Sequence, residues 1–219
     1  MPTWKLLLSI VLGISLPVLS FVDIAVAIRH NPTGLSWEKA LLLAIHQTRA
    51  PELDYLAEKL TGLGTEWGVA PVTAILLLVF ALKKYRYGFA YLLLMVVGGW
   101  AISYNLKIAF HRVRPQLWEL FYPLPLDFAF PSGHALFSSL LVISLAILSW
   151  RTRWFVAVLL VGIPFVLAIA WTRLYLGVHF PTDILGSWML AIAWSSIIYL
   201  VFRGLFGTPR ANFPAVPPD

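Results

Sequence analysis

His179 and Asp183 stand four residues apart. At the start of a helix that spacing lets a carboxylate fix the tautomer of an imidazole and stabilise its cation. A second imidazole, His134, follows Pro131-Ser132-Gly133 at the head of an apolar run. Ser132 is a good N-cap, Gly133 lets a ligand approach the backbone, and the free N–H groups of a helix start attract phosphate. His134 then supplies a general acid complementary to His179. Lys107, Arg112, Arg114 and Arg173 complete the set. Three or four cations gathered in one place call for an anion, and the planar fork of Arg suits phosphate. Other chemistries are excluded. The chain has no Cys, hence no thiol nucleophile, disulfide or Cys-ligated metal. It has no Gly-x-Ser-x-Gly elbow around Ser132 and no HExxH or Mg²⁺-type carboxylate cluster.

These residues must be positioned by membrane helices. Of 219 residues, 60% are hydrophobic and 12% charged, against about 45–50% and about 25% in soluble domains. One small globule cannot hide that excess, so lipid must solvate much of it. Residues 1–219 read as one membrane domain without a soluble appendage. Six stretches, at 5–28, 67–82, 88–110, 135–150, 154–172 and 182–202, approach the length of about 20 apolar residues that a spanning helix needs. Since open sheets cannot satisfy their backbone in lipid, the expected fold is an all-α integral-membrane bundle of six transmembrane helices. Lys5 and the Ala25-Val26-Ala27 triplet also give the first span the look of a signal peptide. Its apolar run, however, exceeds the usual core of about 7–15 residues.

Two connections are long. In the first, 29–66, Trp37, Ala40, Leu41, Ala44 and Ile45 follow helical spacing. Pro51 opens a second such run with Leu53, Leu56, Ala57 and Leu60. Both read as amphipathic helices, either lying in the membrane interface between spans one and two or packing on the bundle. The second connection, 111–131, holds four prolines and reads as an ordered loop. Lys5, Lys83, Lys84, Arg86, Arg151, Arg153, Arg203 and Arg210 fall on one side if six spans alternate, and that side should be cytoplasmic. Trp4, Trp150 and Trp154 mark the inner interface, and Trp37, Trp67, Trp118 and Trp171 the outer one. A short polar tail, 204–219, ends the chain. The sixteen Lys and Arg form no stripe, which argues against nucleic acid as a partner.

Lys107, Arg112, Arg114 and Arg173 disobey this charge rule, because they lie at the outer ends of spans three and five. A cation at mid-bilayer costs about 2.5–3.5 kcal/mol, so a polar cluster at such depth is by default functional. Four helix ends thus bring polar residues to one face. The ordered segments Lys107 to Arg114-Pro115 (107–115), Pro131 to His134 (131–134) and Arg173 to His179 to Asp183 (within 172–183) resemble the three-part signature of the type 2 phosphatidic acid phosphatase and vanadium haloperoxidase superfamily. Thr172 departs from it, standing where the signature usually has Ser.

The resemblance implies that His179 attacks phosphorus and carries a phosphohistidine intermediate, that Asp183 orients its ring, and that His134 protonates the leaving oxygen. It implies that Lys107, Arg114, Arg173 and the Ser132–Gly133 segment hold the phosphate oxygens, with no metal or other cofactor. His111 and Arg112 read as structural or headgroup-facing rather than substrate-binding. The implied activity is hydrolysis of phosphate or diphosphate monoesters of lipids at the outer face of a bacterial inner membrane. Candidate substrates are phosphatidate, phosphatidylglycerophosphate, diacylglycerol pyrophosphate and undecaprenyl diphosphate. The partners are then the lipid substrate and the bilayer, with no obligatory protein partner. Two alternatives remain: phosphotransfer to an alcohol acceptor, and a non-catalytic lipid binder or transporter. The haloperoxidase branch is soluble, and this composition argues against it.

Overall fold

The computed structural model describes residues 3–119, 121–150 and 152–206. Arg151, Arg210 and most of the tail 204–219 therefore lie outside the described residues. The described residues form eight helices and no strand: α1 Thr3–His30, α2 Ser36–His46, α3 Pro51–Gly62, α4 Val69–Leu82, α5 Arg86–Phe110, α6 Gly133–Leu148, α7 Trp154–Tyr175 and α8 Pro181–Phe206. A π-helical turn at Val11–Ser15 interrupts α1, just ahead of Pro17. Pro17 has no N–H for the usual i−4 bond, and the Leu16 N–H reaches Val11 O instead.

Four helices, α1, α5, α7 and α8, are long and apolar enough to cross a membrane. The apolar helices α4 and α6 have only 14 and 16 residues. At 1.5 Å per residue they reach about 21 and 24 Å, short of a hydrocarbon core of about 30 Å. Helix α4 begins at Val69 rather than at 67, and α6 keeps the expected length but starts at Gly133 rather than at 135. Lys84 takes a left-handed conformation after α4, and the extended Ser132 sets the start of α6 at Gly133.

The core lies between α5, α6 and α8, where Tyr91, Leu92, Met95, Leu136, Leu140 and Ala191 pack with almost no exposure. Helices approach closely where glycine permits it. A Cβ on Gly99 would sit 2.4 Å from a Leu140 methyl, and one on Gly162 2.5 Å from a Val142 methyl. Leucines and valines of α1 and α7, such as Leu12, Leu19, Leu160 and Val161, face outward, as lipid solvation requires.

Pro51 opens a helix as its position predicts. Helices α2 and α3 pack on the bundle, over the C-terminal end of α7. The Tyr175 hydroxyl accepts from Ala50 N (3.2 Å) and donates to Asp54 (2.8 Å), while Ala57 is buried against Tyr175 and Leu176. The inward face of α2 differs from the one its apolar spacing predicts. Glu38 and Leu42 are buried, whereas Trp37 and Leu41 are exposed. The helix is rotated because Glu38 has a cationic partner inside.

Candidate active site

The polar ends of α5, α6, α7 and α8 meet at one end of the bundle, and local backbone chemistry sets each approach. Helix α5 stops at His111, which adopts a left-handed conformation and turns the chain toward Arg112 and Arg114. Helix α7 ends in a left-handed Gly177, with Val178 N–H returning to Arg173 O (3.2 Å) and Gly177 N–H to Leu174 O (3.0 Å). This glycine stop delivers His179 to the start of α8. Phe180 N–H then donates to Asp183 Oδ2 (2.8 Å), which fixes the carboxylate beside the histidine.

His179 is almost fully buried, with Nδ1 3.3 Å from Asp183 Oδ2 and Nε2 3.1 Å from an Arg114 NH group. A guanidinium can only donate, so Nε2 is the acceptor and the ring proton sits on Nδ1, toward Asp183. The lone pair of Nε2 thus points into the cation cluster. Arg114 also donates to Val178 O (2.7 Å) and to the backbone and side chain of Asp127 (2.9 and 2.5 Å). Lys107 pairs with the same carboxylate at 2.9 Å and with Phe128 O. Burial alone would raise the Asp127 carboxyl, but Lys107 and Arg114 outweigh it and hold it below the usual range. Arg173, also buried, donates to Thr61 Oγ1 (2.7 Å), and its Nε has no partner among the described residues. His134, half-buried at the start of α6, lies 3.3 Å from Thr65 Oγ1.

Burial first, then the charges of Arg114, Arg173 and Lys107, keep the His179 imidazole well below its ordinary range, so it is neutral. In the unfolded chain it takes a proton below about pH 6.5. Folding therefore loses stability as pH falls through that value, because the unfolded state binds more protons. Histidine ¹⁵N spectra of the ligand-free protein, assigned by the signal lost in His179→Gln, should show this ring neutral at pH 6. A midpoint near its ordinary value contradicts the assignment.

The structure therefore brings together Lys107, Arg114, Ser132, His134, Arg173, His179 and Asp183. Ser132 N–H donates to Asp183 O (3.3 Å), and Ser187 Oγ bridges the Asp183 and Ser132 carbonyls, which pins α6 to α8. One expectation fails in detail. Ser132 occupies the N-cap position, but its side chain makes no capping bond, and its buried Oγ has no partner among the described residues. A Cβ on Gly133 would meet nothing nearer than 3.9 Å, so the backbone is open there. The Thr172 hydroxyl bonds Ile169 O within its own helix and is not offered to a ligand. Arg112 is fully buried between Glu38 and Asp183, a structural placement rather than a headgroup-facing one; His111 is exposed and rests on the Phe128 ring.

The family model of the PAP2 superfamily matches residues 71–206. The chain belongs to the PAP2 superfamily. It is 31% identical to phosphatidylglycerophosphatase B of Bacillus subtilis, over 85% of this chain and 91% of that protein. It is 27% identical to an undecaprenyl-diphosphatase of Sulfolobus acidocaldarius, over 75% and 78%. A transmembrane PAP2-type phosphatidylglycerolphosphate phosphatase from Bacillus subtilis, known from its crystal structure, superposes with a TM-score of 0.69. It is 25% identical, and the match covers 86% of this chain and 93% of that one. As a PAP2 protein with phosphatase relatives, the chain is a phosphatase. All three signature segments lie within the matched residues. Glu38, Thr61 and Thr65, which the sequence reading missed, lie before them on α2, α3 and the turn that follows. A carboxylate at Glu38, spaced with Leu42 and Ile45 on one helical face, was the legible sign of the first. Asp127 gave no sign beyond its charge.

Proposed function

We propose that this PAP2 phosphatase hydrolyses phosphate or diphosphate monoesters of membrane lipids through a phosphohistidine at His179. The observation that carries this reading is the buried, neutral imidazole whose Nε2 lone pair faces Arg114 within a cluster of three cations. Nε2 attacks phosphorus, the bond to the lipid-side oxygen breaks, and His134 gives that oxygen its proton. Asp183 stabilises the imidazole as it becomes cationic. Water, deprotonated by His134, then attacks the phosphohistidine and releases inorganic phosphate. Lys107, Arg114, Arg173, the Ser132 hydroxyl and the first N–H groups of α6 hold the equatorial oxygens, since phosphoryl transfer rests on positioning and charge stabilisation.

A lipid substrate is supported by an apolar cavity of about 480 Å³ beside the site, lined by Val69, Ala70, Leu77, Val97 and Trp100. Thr65 lines this cavity and also contacts His134, so an apolar chain lying there would bring its headgroup to the imidazole. The names of the relatives favour undecaprenyl diphosphate and phosphatidylglycerophosphate as substrates, with phosphatidate and diacylglycerol pyrophosphate the same chemistry. We read all six apolar helices as crossing, with the bilayer thinned around α4 and α6. Lys5, Lys83, Lys84, Arg86, Arg153 and Arg203 favour a cytoplasmic far end, which supports a site at the outer face of a bacterial inner membrane.

Three fixed cations supply the charge stabilisation that a metal ion often gives. Purified protein should therefore release inorganic phosphate from phosphatidate or undecaprenyl diphosphate with EDTA present. Release that depends on an added divalent cation sinks the metal-independent mechanism. Label that passes to an added lipid alcohol rather than to water makes the protein a phosphotransferase.

A further inference from the structure

We propose that Glu38 and Arg112 are positioning residues, a buried layer on α2 and the α5–α6 connection that sets the orientation and charge of Asp183 behind the nucleophile. The inference rests on the reading of His179 as nucleophile and Asp183 as its orienting carboxylate. Arg112, Glu38 and Asp183 are all fully buried. One guanidinium spans the two carboxylates: NH1 donates to Asp183 Oδ1 (2.5 Å) and to Thr182 Oγ1 (2.7 Å), and NH2 to Glu38 Oε2 (2.9 Å). The far face of the fork lies over the Phe180 ring, 4.5 Å from its centroid. Asp183 is thereby held by Arg112 through one oxygen, and its other oxygen, fixed by Phe180 N–H, is left for His179.

Glu38 has no spare acceptor. Oε1 takes Thr182 N–H (3.0 Å) and the Thr182 hydroxyl (2.5 Å), while Oε2 takes Leu35 N–H (2.7 Å) and Arg112. Every partner is a donor, so a carboxylate satisfies the site and an amide cannot without setting an NH₂ against a donor. One guanidinium is shared between two carboxylates, so neither takes its whole charge. Without Glu38, the whole charge of Arg112 falls on Asp183 and weakens its hold on the imidazole cation. Without Arg112, two buried carboxylates repel and Asp183 loses its anchor. The arrangement ties α2, outside the matched family segment, to the reacting histidine in three steps: Glu38 to Arg112, Arg112 to Asp183, Asp183 to His179.

The test uses the full chain in detergent, with phosphatidate as substrate, and compares Glu38→Gln, Arg112→Leu and the double variant. The exposed Glu58→Gln serves as control. Glu38→Gln should lower kcat by about 10- to 100-fold, the scale for partners that orient a reacting ligand, with KM changed less than about threefold. The double variant should be no slower than Arg112→Leu alone, because Glu38 acts through Arg112. A purely structural role would instead lower the folded fraction and give multiplicative losses. If Glu38→Gln does not fold, Thr182→Val removes one of its donors and leaves both charges in place. That variant should still lose kcat severalfold at constant KM. An unchanged kcat in a folded variant, a loss confined to KM, or multiplicative losses in the double variant overturn the proposal. If His179→Ala is inactive while Glu38→Gln is normal, only this inference fails. If His179→Ala keeps its activity, the nucleophile assignment falls with it.

Discussion

Replacing His179 by alanine should reduce turnover by about 10⁴-fold or more, because the proposed mechanism loses its attacking atom rather than a supporting contact. The ring is buried, its Nδ1 proton is committed to Asp183, and its Nε2 is the acceptor that Arg114 turns toward the cations. Among the described residues, no other side chain duplicates this arrangement. His134 sits at the start of another helix and contacts Thr65 through Nε2. The measurement is rapid quench with ³²P-labelled phosphatidate. The parent protein should carry acid-labile, base-stable label that turns over with the reaction, and His179→Ala should carry none. A variant that retains label, or loses less than tenfold in kcat, removes His179 from the centre of the chemistry.

Changing Arg114 to lysine should cost about 10²- to 10³-fold in kcat/KM, the range for deleting one preorganised donor to developing charge. The substitution keeps the positive charge, so the loss isolates geometry. Arg114 engages Val178 O, His179 Nε2 and both the backbone and side chain of Asp127 at once. An ammonium is a point charge on a flexible stem and cannot hold that fork. Steady-state kinetics on phosphatidate, with thermal unfolding as a check on folding, read the outcome. A loss below tenfold in a folded protein means that charge alone suffices.

The parts of this fold written in short-range chemistry were legible in the sequence. Apolar runs announced the helices, Pro51 marked the start of α3, and misplaced cations together with Ser132-Gly133-His134 pointed to four helix ends meeting. The features that escaped depend on who meets whom across the fold. Hydropathy reports where a chain is apolar, not where its backbone bends, so α4 starts at Val69 rather than at 67 and α6 runs from Gly133 to Leu148 rather than over 135–150. The inward face of α2 follows from Arg112, 74 residues away along the chain, rather than from its own spacing. Thr61 and Thr65 reach Arg173 and His134 only because α3 lies across the end of α7. Ser132 looked like a cap, yet its hydroxyl has no partner among the described residues.

Asp127 changes how an empty site of this kind behaves. Its carboxylate, half-exposed on the loop between α5 and α6, lies between Lys107 and Arg114. The pocket therefore resembles a loaded ion-exchange resin more than a set of naked cations, with a resident counter-ion already on the column. On the proposed reading, an incoming phosphate would have to displace a tethered anion from Lys107 and Arg114. The tether stays in place, so on the same reading the carboxylate would compete with inorganic phosphate for these cations once the ester bond is broken.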